Sequence, residues 1–333
     1  MRLPYFYYRE PITIEEAFSI MEEHHGGARV LAGGTDLIPL MKYGLETPSI
    51  IVSLRNLTDF KGIEAGDKEV FVGAMTSLAD LSSSSVIRSN FPALHEAVGS
   101  VGAPPLRNVA TVGGNIRQNS RCLYYNQSKT WRLEKPPCRK AGGDVCHAVP
   151  KGKKCFSVYC GDLAPALIAL GGSVVVKAKN RERIIPLWDI FTGDGLTPFA
   201  LAGDELIAGV TLPIPGKESG SSYVKMRVRP AVDYPLVSAA ASVALDGEGR
   251  ITKTDLVLGA AGPKPVVVEA GQFLAGKTID TVSFDALNEL LHKGTQMANN
   301  LVLSGSYRRK MLPVVAGKAI RAAIRSITGK ENA

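Results

Sequence analysis

Hydrophobic and polar positions repeat along the chain with two periods, and each period predicts a type of secondary structure. In residues 13–25 the apolar positions follow a helical period, which places Ala17 and Phe18 on a buried face. Thr13 can cap this helix, and Glu16 stands three residues later as in a capping box. Strand-like runs in the first two thirds of the chain lie at 29–32, 49–54, 69–73, 109–112, 173–178 and 205–213. Further helical patterns lie at 78–82, 93–101 and 162–170.

The pattern changes after residue 216. The segment Pro213-Ile-Pro-Gly216 ends a strand, and the runs beyond it predict antiparallel strands joined through a hairpin turn at 246–249. These strands lie at 223–229, 238–245 and 255–258, and helices are predicted at 282–300 and 312–326. A chain of 333 residues is long enough for separate cores. We therefore expect a first domain at 1–216, with subdomains at about 1–55 and 56–216, and a second domain at 217–333.

One segment has neither period. From Asn119 to about Ser157 the sequence contains Pro136-Pro137 and Gly142-Gly143 but no regular apolar repeat. A structureless stretch of this length inside a compact domain is unusual and generally functional. Regular patterning resumes with a helix that Asp162 is expected to cap. We therefore interpret residues 119–160 as an insertion into an otherwise continuous unit.

The net charge of +8 is concentrated in this insertion. Between Arg121 and Cys160 there are nine Lys or Arg residues and two acidic residues, a balance of +7. Three explanations stay open: the cations stabilise metal-bound thiolates, attract an acidic protein partner, or contact nucleic acid. The N-terminus has no apolar signal-peptide region, and the longest apolar stretch, 163–176, is too short to span a bilayer. We expect a cytoplasmic, reduced protein without a membrane span, in which disulfides do not form.

Two glycine turns follow predicted strands. The first is Leu31-Ala-Gly-Gly-Thr-Asp-Leu37, and the second is Thr111-Val-Gly-Gly-Asn115. Glycines let successive backbone N–H groups converge on one point, and such a nest binds phosphate oxygens. Neither turn matches a dinucleotide fingerprint or a Walker loop. The pair predicts two halves that hold one pyrophosphate group, although a plain tight turn is the alternative for each.

All five cysteines lie between Cys122 and Cys160. The gaps between successive cysteines are fifteen, seven, eight and four residues, and no Cys-x-x-Cys occurs. Spacing alone leaves an iron–sulfur cluster, zinc and no metal open. His147 is a possible further ligand, with a surface position as its alternative. No Ser-His-Asp or His-Glu-x-x-His arrangement is visible, so the chain has the features of an electron carrier without a substrate site.

Several motifs together resemble the FAD-binding subunit of the molybdenum hydroxylases, the family of xanthine dehydrogenase and carbon monoxide dehydrogenase. They are Ala32-Gly-Gly-Thr-Asp-Leu37, Arg107-Asn108 followed by Thr111-Val-Gly-Gly-Asn-Ile116, and Asp162-Leu-Ala-Pro165. The resemblance covers nearly the whole chain. It implies an α+β fold: a two-part FAD-binding domain of the vanillyl-alcohol-oxidase/PCMH type, plus a C-terminal domain with an antiparallel sheet and helices.

The insertion between Asn115 and Asp162 departs from ordinary members, where these motifs lie close together. It is similar to the loop of the β subunit of 4-hydroxybenzoyl-CoA reductase, which holds a [4Fe–4S] cluster through four cysteines. That resemblance implies Cys122, Cys138, Cys146 and Cys155 as ligands, and leaves the role of Cys160 open. The remaining implied residues bind FAD: Val30, Leu31, Ala32, Gly33, Gly34, Thr35, Asp36 and Leu37 at its pyrophosphate and ribityl or ribose groups, Thr111, Gly113, Gly114 and Asn115 on the other side, Asp162 at a hydroxyl, Ile207 and Lys225 at the ring, and Val101 as a further contact.

The predicted function is therefore an FAD- and [4Fe–4S]-containing electron-transfer subunit, with 4-hydroxybenzoyl-CoA reductase as the expected complex. The resemblance implies a molybdopterin-containing large subunit and a [2Fe–2S] small subunit, assembled as a dimer of heterotrimers, and the basic loop suggests an acidic carrier such as ferredoxin. One alternative is an oxidative hydroxylase of the same family. The other is a zinc-binding, nucleic-acid-contacting module without catalytic function.

Overall fold

The computed structural model describes residues 2–24, 26–278, 281, 287–299 and 302–328. Its named strands form three sheets, of three, five and four strands. The first sheet is parallel and has the order β1-β3-β2. Its strands are β1 (Tyr7–Arg9), β2 (Ala28–Leu31) and β3 (Ile50–Ser53). Helix α1 (Ile14–Glu23) begins as predicted, because Thr13 Oγ1 accepts a hydrogen bond from Glu16 N at 3.2 Å.

The second sheet has five strands in the order β4-β5-β8-β6-β7, and all its neighbours are antiparallel. Its strands are β4 (Ile63–Ala65), β5 (Glu69–Gly73), β6 (Ser173–Ala178), β7 (Arg181–Pro186) and β8 (Leu206–Pro213). A shared core joins it to the first sheet, with Phe18 from α1, Val52 from β3 and Ala208 from β8. The first two sheets therefore form the two parts of one domain.

Short helices occupy the segments that connect these strands. They are α2 (Leu37–Lys42), α3 (Leu78–Ser83), α4 (Ser85–Asn90), α5 (Pro92–Gly99), α6 (Pro104–Arg107), α7 (Val112–Ile116), α8 (Lys129–Leu133) and α9 (Leu163–Ala169). The predicted strand at 109–112 is wrong: Thr111 makes only an isolated bridge with Ser77, and α7 begins at the next residue. Thr111 caps a helix instead, since its Oγ1 accepts from Gly114 N at 3.1 Å.

The third sheet is antiparallel, with the order β12-β11-β10-β9. Its strands are β9 (Ser219–Met226), β10 (Val237–Leu245), β11 (Ile251–Gly259) and β12 (Val266–Val268). The helices of this domain are α10 (Gly271–Leu274), α11 (Asn288–His292), α12 (Gly305–Lys310) and α13 (Leu312–Thr328). Strand β10 is buried on both faces: Ala239 and Ala241 belong to the core shared with α13, and Ala240 to the core that contains α5 and α9.

The helix predicted at 282–300 is only partly tested, because residues 282–286 and 300 lie outside the described residues. Within the described part α11 ends at His292. Lys293 is extended and Gly294 has φ +76°, a left-handed conformation that ends a helix, so the prediction is wrong from 293 onward. The α+β fold class is confirmed. None of the helices in the described ranges combines the length and apolarity needed to cross a bilayer.

Candidate functional site

A cleft of about 860 Å³ opens between the first two sheets. This volume is in the range of small-molecule and cofactor sites. Its walls include the end of β2 and the first glycine turn, the start of α3, and the segment before α7. The lining residues are Tyr8, Leu31, Ala32, Gly33, Ser53, Arg55, Lys61, Gly62, Ile63, Met75, Thr76, Ser77, Ala79, Asp80, Asn108, Val109 and Thr111.

The first glycine turn offers free backbone donors beside this cleft. Among the described residues, no protein acceptor is found for the backbone N–H groups of Gly33, Gly34, Thr35 and Asp36. Gly34 has φ +71°, which turns the chain between these groups. Four consecutive N–H groups without a protein acceptor are the donors that a phosphate-binding nest needs, and that they bind phosphate stays a prediction. The donor set therefore fits the diphosphate of a dinucleotide cofactor.

The nest is fixed in place by close packing of Gly33. A Cβ at this position would lie 1.9 Å from the carbonyl oxygen of Val109 and 3.0 Å from Ala110 Cα. Both are backbone atoms, so the contact cannot be relieved by a side-chain rotation. The first turn and the segment before the second turn are thus held against each other.

The backbone N–H groups of the second glycine turn donate to acceptors of the protein itself. Gly113 N donates to Ala74 O at 2.8 Å, and Asn115 N donates to Thr111 O at 2.9 Å. The Asn115 side chain also faces inward, since its Oδ1 accepts from Leu163 N at 3.2 Å. The prediction that Asp162 caps α9 is wrong, because Asn115 supplies that bond and Asp162 makes no capping hydrogen bond.

Asp162 instead belongs to a buried polar group. Its carboxylate accepts from Lys225 Nζ at 2.9 Å and from Tyr223 Oη at 2.6 Å, and Lys225 also donates to Ser100 O at 3.1 Å. The Lys225 side chain is 3% exposed. Burial raises the pKa of Asp162, and the charge of Lys225 opposes that rise. The sequence therefore named both partners of this ion pair, while their mutual contact was not foreseen.

The other predicted residues fall into two groups. Leu31, Ala32, Gly33 and Thr111 line the cleft. The second group does not line it. Val30 packs against the core shared by the first two sheets, and Leu37 is the first residue of α2. Ile207 is buried in the main core, and Val101 packs against that core. Sequence reasoning missed Arg55, Lys61, Thr76 and Ser77 in the cleft wall. Thr76-Ser77 directly precedes a predicted helix, and this capping pattern was the available signal, since Ser77 accepts from Asp80 N at 3.0 Å.

A second cavity lies in the insertion. Cys122, Cys138, Cys146 and Cys155 all line it, together with Tyr124, Tyr125, Arg139, Lys140, His147, Ala148 and Ser157. Cys160 is not in its wall; burial raises the pKa of that thiol to about 11. Arg121 and Val158 close the base of the loop through two backbone hydrogen bonds of 2.7 and 2.8 Å. The fold thus brings together the four cysteines that the sequence named.

The described residues of this cavity do not form an assembled single-ion site. In the part of the chain that the structure describes, no group of three or more His, Cys, Asp or Glu side chains is placed to hold one metal ion. His147 lines the cavity, and its Nε2 lies 2.8 Å from Pro136 O. Burial raises the pKa of Cys122, and hydrogen bonds from the backbone of Tyr124 and Tyr125 oppose that rise.

Positive charge lines the same cavity. Burial lowers the pKa of Lys140 to about 8, and the neighbouring Cys155 and Cys122 oppose that shift. Among the described residues the buried Nε of Arg139 has no hydrogen-bond partner. The concentration of charge found in the sequence therefore reaches the wall of the cysteine cavity.

Asp36 links the glycine turn to the insertion. Its carboxylate accepts from Asn119 N at 2.9 Å and lies 3.5 Å from the Arg121 guanidinium. Burial raises the pKa of Asp36, and these two partners oppose the rise. Because the backbone of Asp36 belongs to the nest, the two candidate sites share one residue.

Comparison with known proteins agrees with this arrangement. Residues 4–215 match the family described as the FAD binding domain in molybdopterin dehydrogenase, and residues 221–323 match the C-terminal domain of the CO dehydrogenase flavoprotein. The chain is 32% identical over 323 residues to the aldehyde oxidoreductase FAD-binding subunit PaoB of Escherichia coli, covering 93% of this chain and 97% of that protein. It is 27% identical over 318 residues to the carbon monoxide dehydrogenase medium chain of Afipia carboxidovorans, covering 96% of each.

Solved structures show the same fold. A chain of the Cu,Mo-CO dehydrogenase superposes with a TM-score of 0.80 at 25% identity, covering 97% of this chain and 99% of that one. A chain of quinoline 2-oxidoreductase from Pseudomonas putida 86 gives a TM-score of 0.76 at 21% identity, covering 98% and 99%.

Proposed function

This chain belongs to the family of FAD-binding subunits of the molybdopterin dehydrogenases, and on that premise we propose that it is an FAD- and [4Fe–4S]-containing electron-transfer subunit of a molybdenum hydroxylase-type complex. The observation that carries the proposal is the nest of four unpaired N–H groups beside a cleft of about 860 Å³. The chain is an oxidoreductase subunit by family. The zinc-binding, nucleic-acid-contacting alternative is displaced by that assignment.

The nest would hold the FAD pyrophosphate. We assign this role to the backbone from Val30 to Leu37, with Thr111 on the opposite wall of the cleft, and Gly113, Gly114 and Asn115 as the support beneath that wall. Asp162 and Lys225 would act near the ring from their buried ion pair, with Ile207 and Val101 as apolar neighbours. When bound, FAD exchanges electrons in pairs or singly. The domain division at 1–216 and 217–333 is part of the proposal, and the matched ranges 4–215 and 221–323 support it.

We infer a [4Fe–4S] cluster, and not zinc, from the resemblance of the cysteine loop. The cavity lined by Cys122, Cys138, Cys146 and Cys155 supplies the four thiols that such a cluster needs. The described side chains form no assembled single-ion site, so the choice of metal rests on the number of cysteines and on the resemblance.

The partners follow from this assignment. We propose a molybdopterin-containing large subunit, which would hold the substrate, and a [2Fe–2S] small subunit, in a dimer of heterotrimers. The relatives reported above are named as dehydrogenases and an aldehyde oxidoreductase, which favours an oxidative complex. The second candidate is the reductive dehydroxylation of 4-hydroxybenzoyl-CoA to benzoyl-CoA, and the cysteine cavity is the observation that favours it. In either direction an acidic carrier such as ferredoxin would dock on the basic insertion.

The first experiment is to measure FAD, iron, acid-labile sulfide and zinc per chain after anaerobic purification. We expect FAD together with about four iron and four sulfide, the content of one cubane cluster. Cys138→Ser should lose the iron and keep the FAD, while the matched control Cys160→Ser should keep both. FAD without iron would leave an ordinary hydroxylase flavin subunit, and zinc without FAD would contradict the proposal entirely.

A further inference from the structure

Behind the cysteine cavity lies a buried hydrogen-bond network. Lys140 Nζ donates to Asn119 Oδ1 at 2.8 Å, to Ser120 Oγ at 2.7 Å and to Ser120 O at 3.0 Å. The hydroxyls of Ser120 and Ser157 are 2.6 Å apart, and each of these residues is 1% exposed. Ser157 Oγ lies 3.4 Å from the sulfur of Cys155. The network therefore runs without interruption from an ammonium group to one of the four proposed ligands.

The chemistry of the groups decides the direction of donation. An ammonium group only donates, and a thiolate only accepts. In the thiol form the Cys155 sulfur donates to Ser157 Oγ. With Cys155 as a thiolate ligand, Ser157 would donate to the sulfur instead, and Lys140 would support Ser157 both through Ser120 and directly at 3.3 Å. The carbonyl of Gly195 lies 3.2 Å from both hydroxyls and is the competing acceptor. A Cβ at Gly195 would lie 2.0 Å from Ser157 Oγ and 3.1 Å from Cys155 Sγ, so this backbone fixes the geometry.

No carboxylate of the described residues lies within 4.0 Å of the Lys140 ammonium group. Its aromatic contact is the Tyr125 ring, 5.3 Å from Nζ. The carboxylates of Asp36 and Glu46 act on its charge from farther away, and the sulfurs of Cys155 and Cys122 act on it more strongly. A buried cation without a close anionic partner is costly. The cysteines across the cavity, once deprotonated as ligands, would be the nearest anions to balance it.

We propose that Lys140, Ser120 and Ser157 are positioning residues that donate hydrogen bonds toward the Cys155 thiolate and thereby raise the reduction potential of the bound cluster. The inference rests on the proposed function. Reduction adds one electron and makes the cluster more negative. Hydrogen bonds to the sulfur ligands and a nearby positive charge stabilise that added charge. Ser157 touches the proposed ligand, and Ser120 and Lys140 act through Ser157, so the effect of all three is on the potential.

The test is a potentiometric titration followed by electron paramagnetic resonance, in which dithionite supplies the single electron. Ser157→Ala removes the last donor, and Lys140→Met removes the charge. Lys129→Met is the control, because it removes a positive charge from an exposed position of the same loop. We expect Ser157→Ala and Lys140→Met to keep the wild-type iron and FAD content but to shift the midpoint potential downward, while Lys129→Met titrates like the wild type.

The outcomes separate this inference from the function on which it rests. Wild-type protein with FAD and no iron would overturn the cluster assignment and this inference with it. Iron retained in Ser157→Ala at an unchanged potential would overturn the inference alone. Loss of iron from Ser157→Ala would also overturn it, because the network would then be needed for assembly. If Lys140→Met fails to fold, the Ser157→Ala titration decides the question.

Discussion

Replacement of Gly33 by alanine tests the nest most directly. The added Cβ would lie 1.9 Å from Val109 O and 2.7 Å from Val109 C, whereas real Cβ contacts essentially never fall below 3.0 Å. The first turn and the 109–110 segment must therefore separate by about 1.1 Å, the difference between 3.0 and 1.9 Å. Forced overpacking of this kind costs about 1–3 kcal/mol. The same displacement moves the cleft walls apart and turns the nest away from the bound phosphate, so FAD binding should weaken together with stability.

The assay compares FAD content after purification, the affinity for added FAD, and the thermal midpoint. Gly203→Ala is the matched control, since a Cβ there meets nothing within 4 Å and the residue is exposed. We expect Gly33→Ala to lose most of its FAD and to melt at a lower temperature, while Gly203→Ala behaves like the wild type. A Gly33→Ala protein with full FAD content and an unchanged midpoint would refute the packing argument and the position of the nest.

Three further predictions concern other parts of the molecule. Lys225→Met leaves the buried Asp162 carboxylate without its partner at 2.9 Å. We expect this variant to lose about 3–5 kcal/mol of unfolding free energy in denaturant titrations. The control Lys253→Met removes an exposed ion pair and should lose about 1 kcal/mol or less. Because burial raises the pKa of Asp162, the folded state binds that proton more tightly than the unfolded state. The unfolding free energy lost in Lys225→Met should therefore be smaller at acidic than at alkaline pH. A loss that does not change with pH would contradict this reasoning. Cys160, with a pKa of about 11 against 9.0, has a thiolate fraction lower by about a hundredfold, so mass spectrometry should find it unalkylated until the protein unfolds. The double variant Lys151→Glu, Lys153→Glu should slow association with an acidic carrier about tenfold or more and weaken the salt dependence of the association rate. The control Lys310→Glu, an exposed position outside the insertion, should associate like the wild type. Equal association rates for the double variant and the wild type would rule out docking on the insertion.

The sequence predicted well what depends on local pattern. Thr13 caps α1, β6 spans 173–178 as its run of valines indicated, and the insertion has little regular structure. The predictions were wrong where contacts between distant segments determine the local structure. Thr111 looked like the end of a strand, yet it caps a helix, because Val112 N donates to Thr76 O and Gly113 N to Ala74 O from a neighbouring segment. No local feature of 109–115 reveals those partners.

The candidate site was foreseeable in its residues but not in its contacts. The four cysteines could be named from their clustering and from a family resemblance, whereas the closeness of Ser120, Lys140 and Ser157 depends on how the loop folds back. The sequence pattern indicated that Asp162 caps a helix. Its ion-pair partner, Lys225, lies sixty-three positions later, and a local capping pattern does not indicate a contact at that separation. Buried ion pairs between distant residues are the features that a single sequence conceals.

The structure also explains how the insertion can be added to this fold without disturbing the FAD-binding domain. Asn115 and Leu163 flank the insertion and bond directly to each other at 3.2 Å, so α7 and α9 stay joined whatever lies between them. Tyr159 Oη donates to Ile116 O at 2.8 Å and strengthens the same junction. Beyond this junction, the carboxylate of Asp36 is a point where the glycine turn touches the loop, through Asn119 and Arg121. Because the junction is closed independently of the cysteines, loss of the proposed cluster should leave the first glycine turn formed, and FAD content after iron removal would test this.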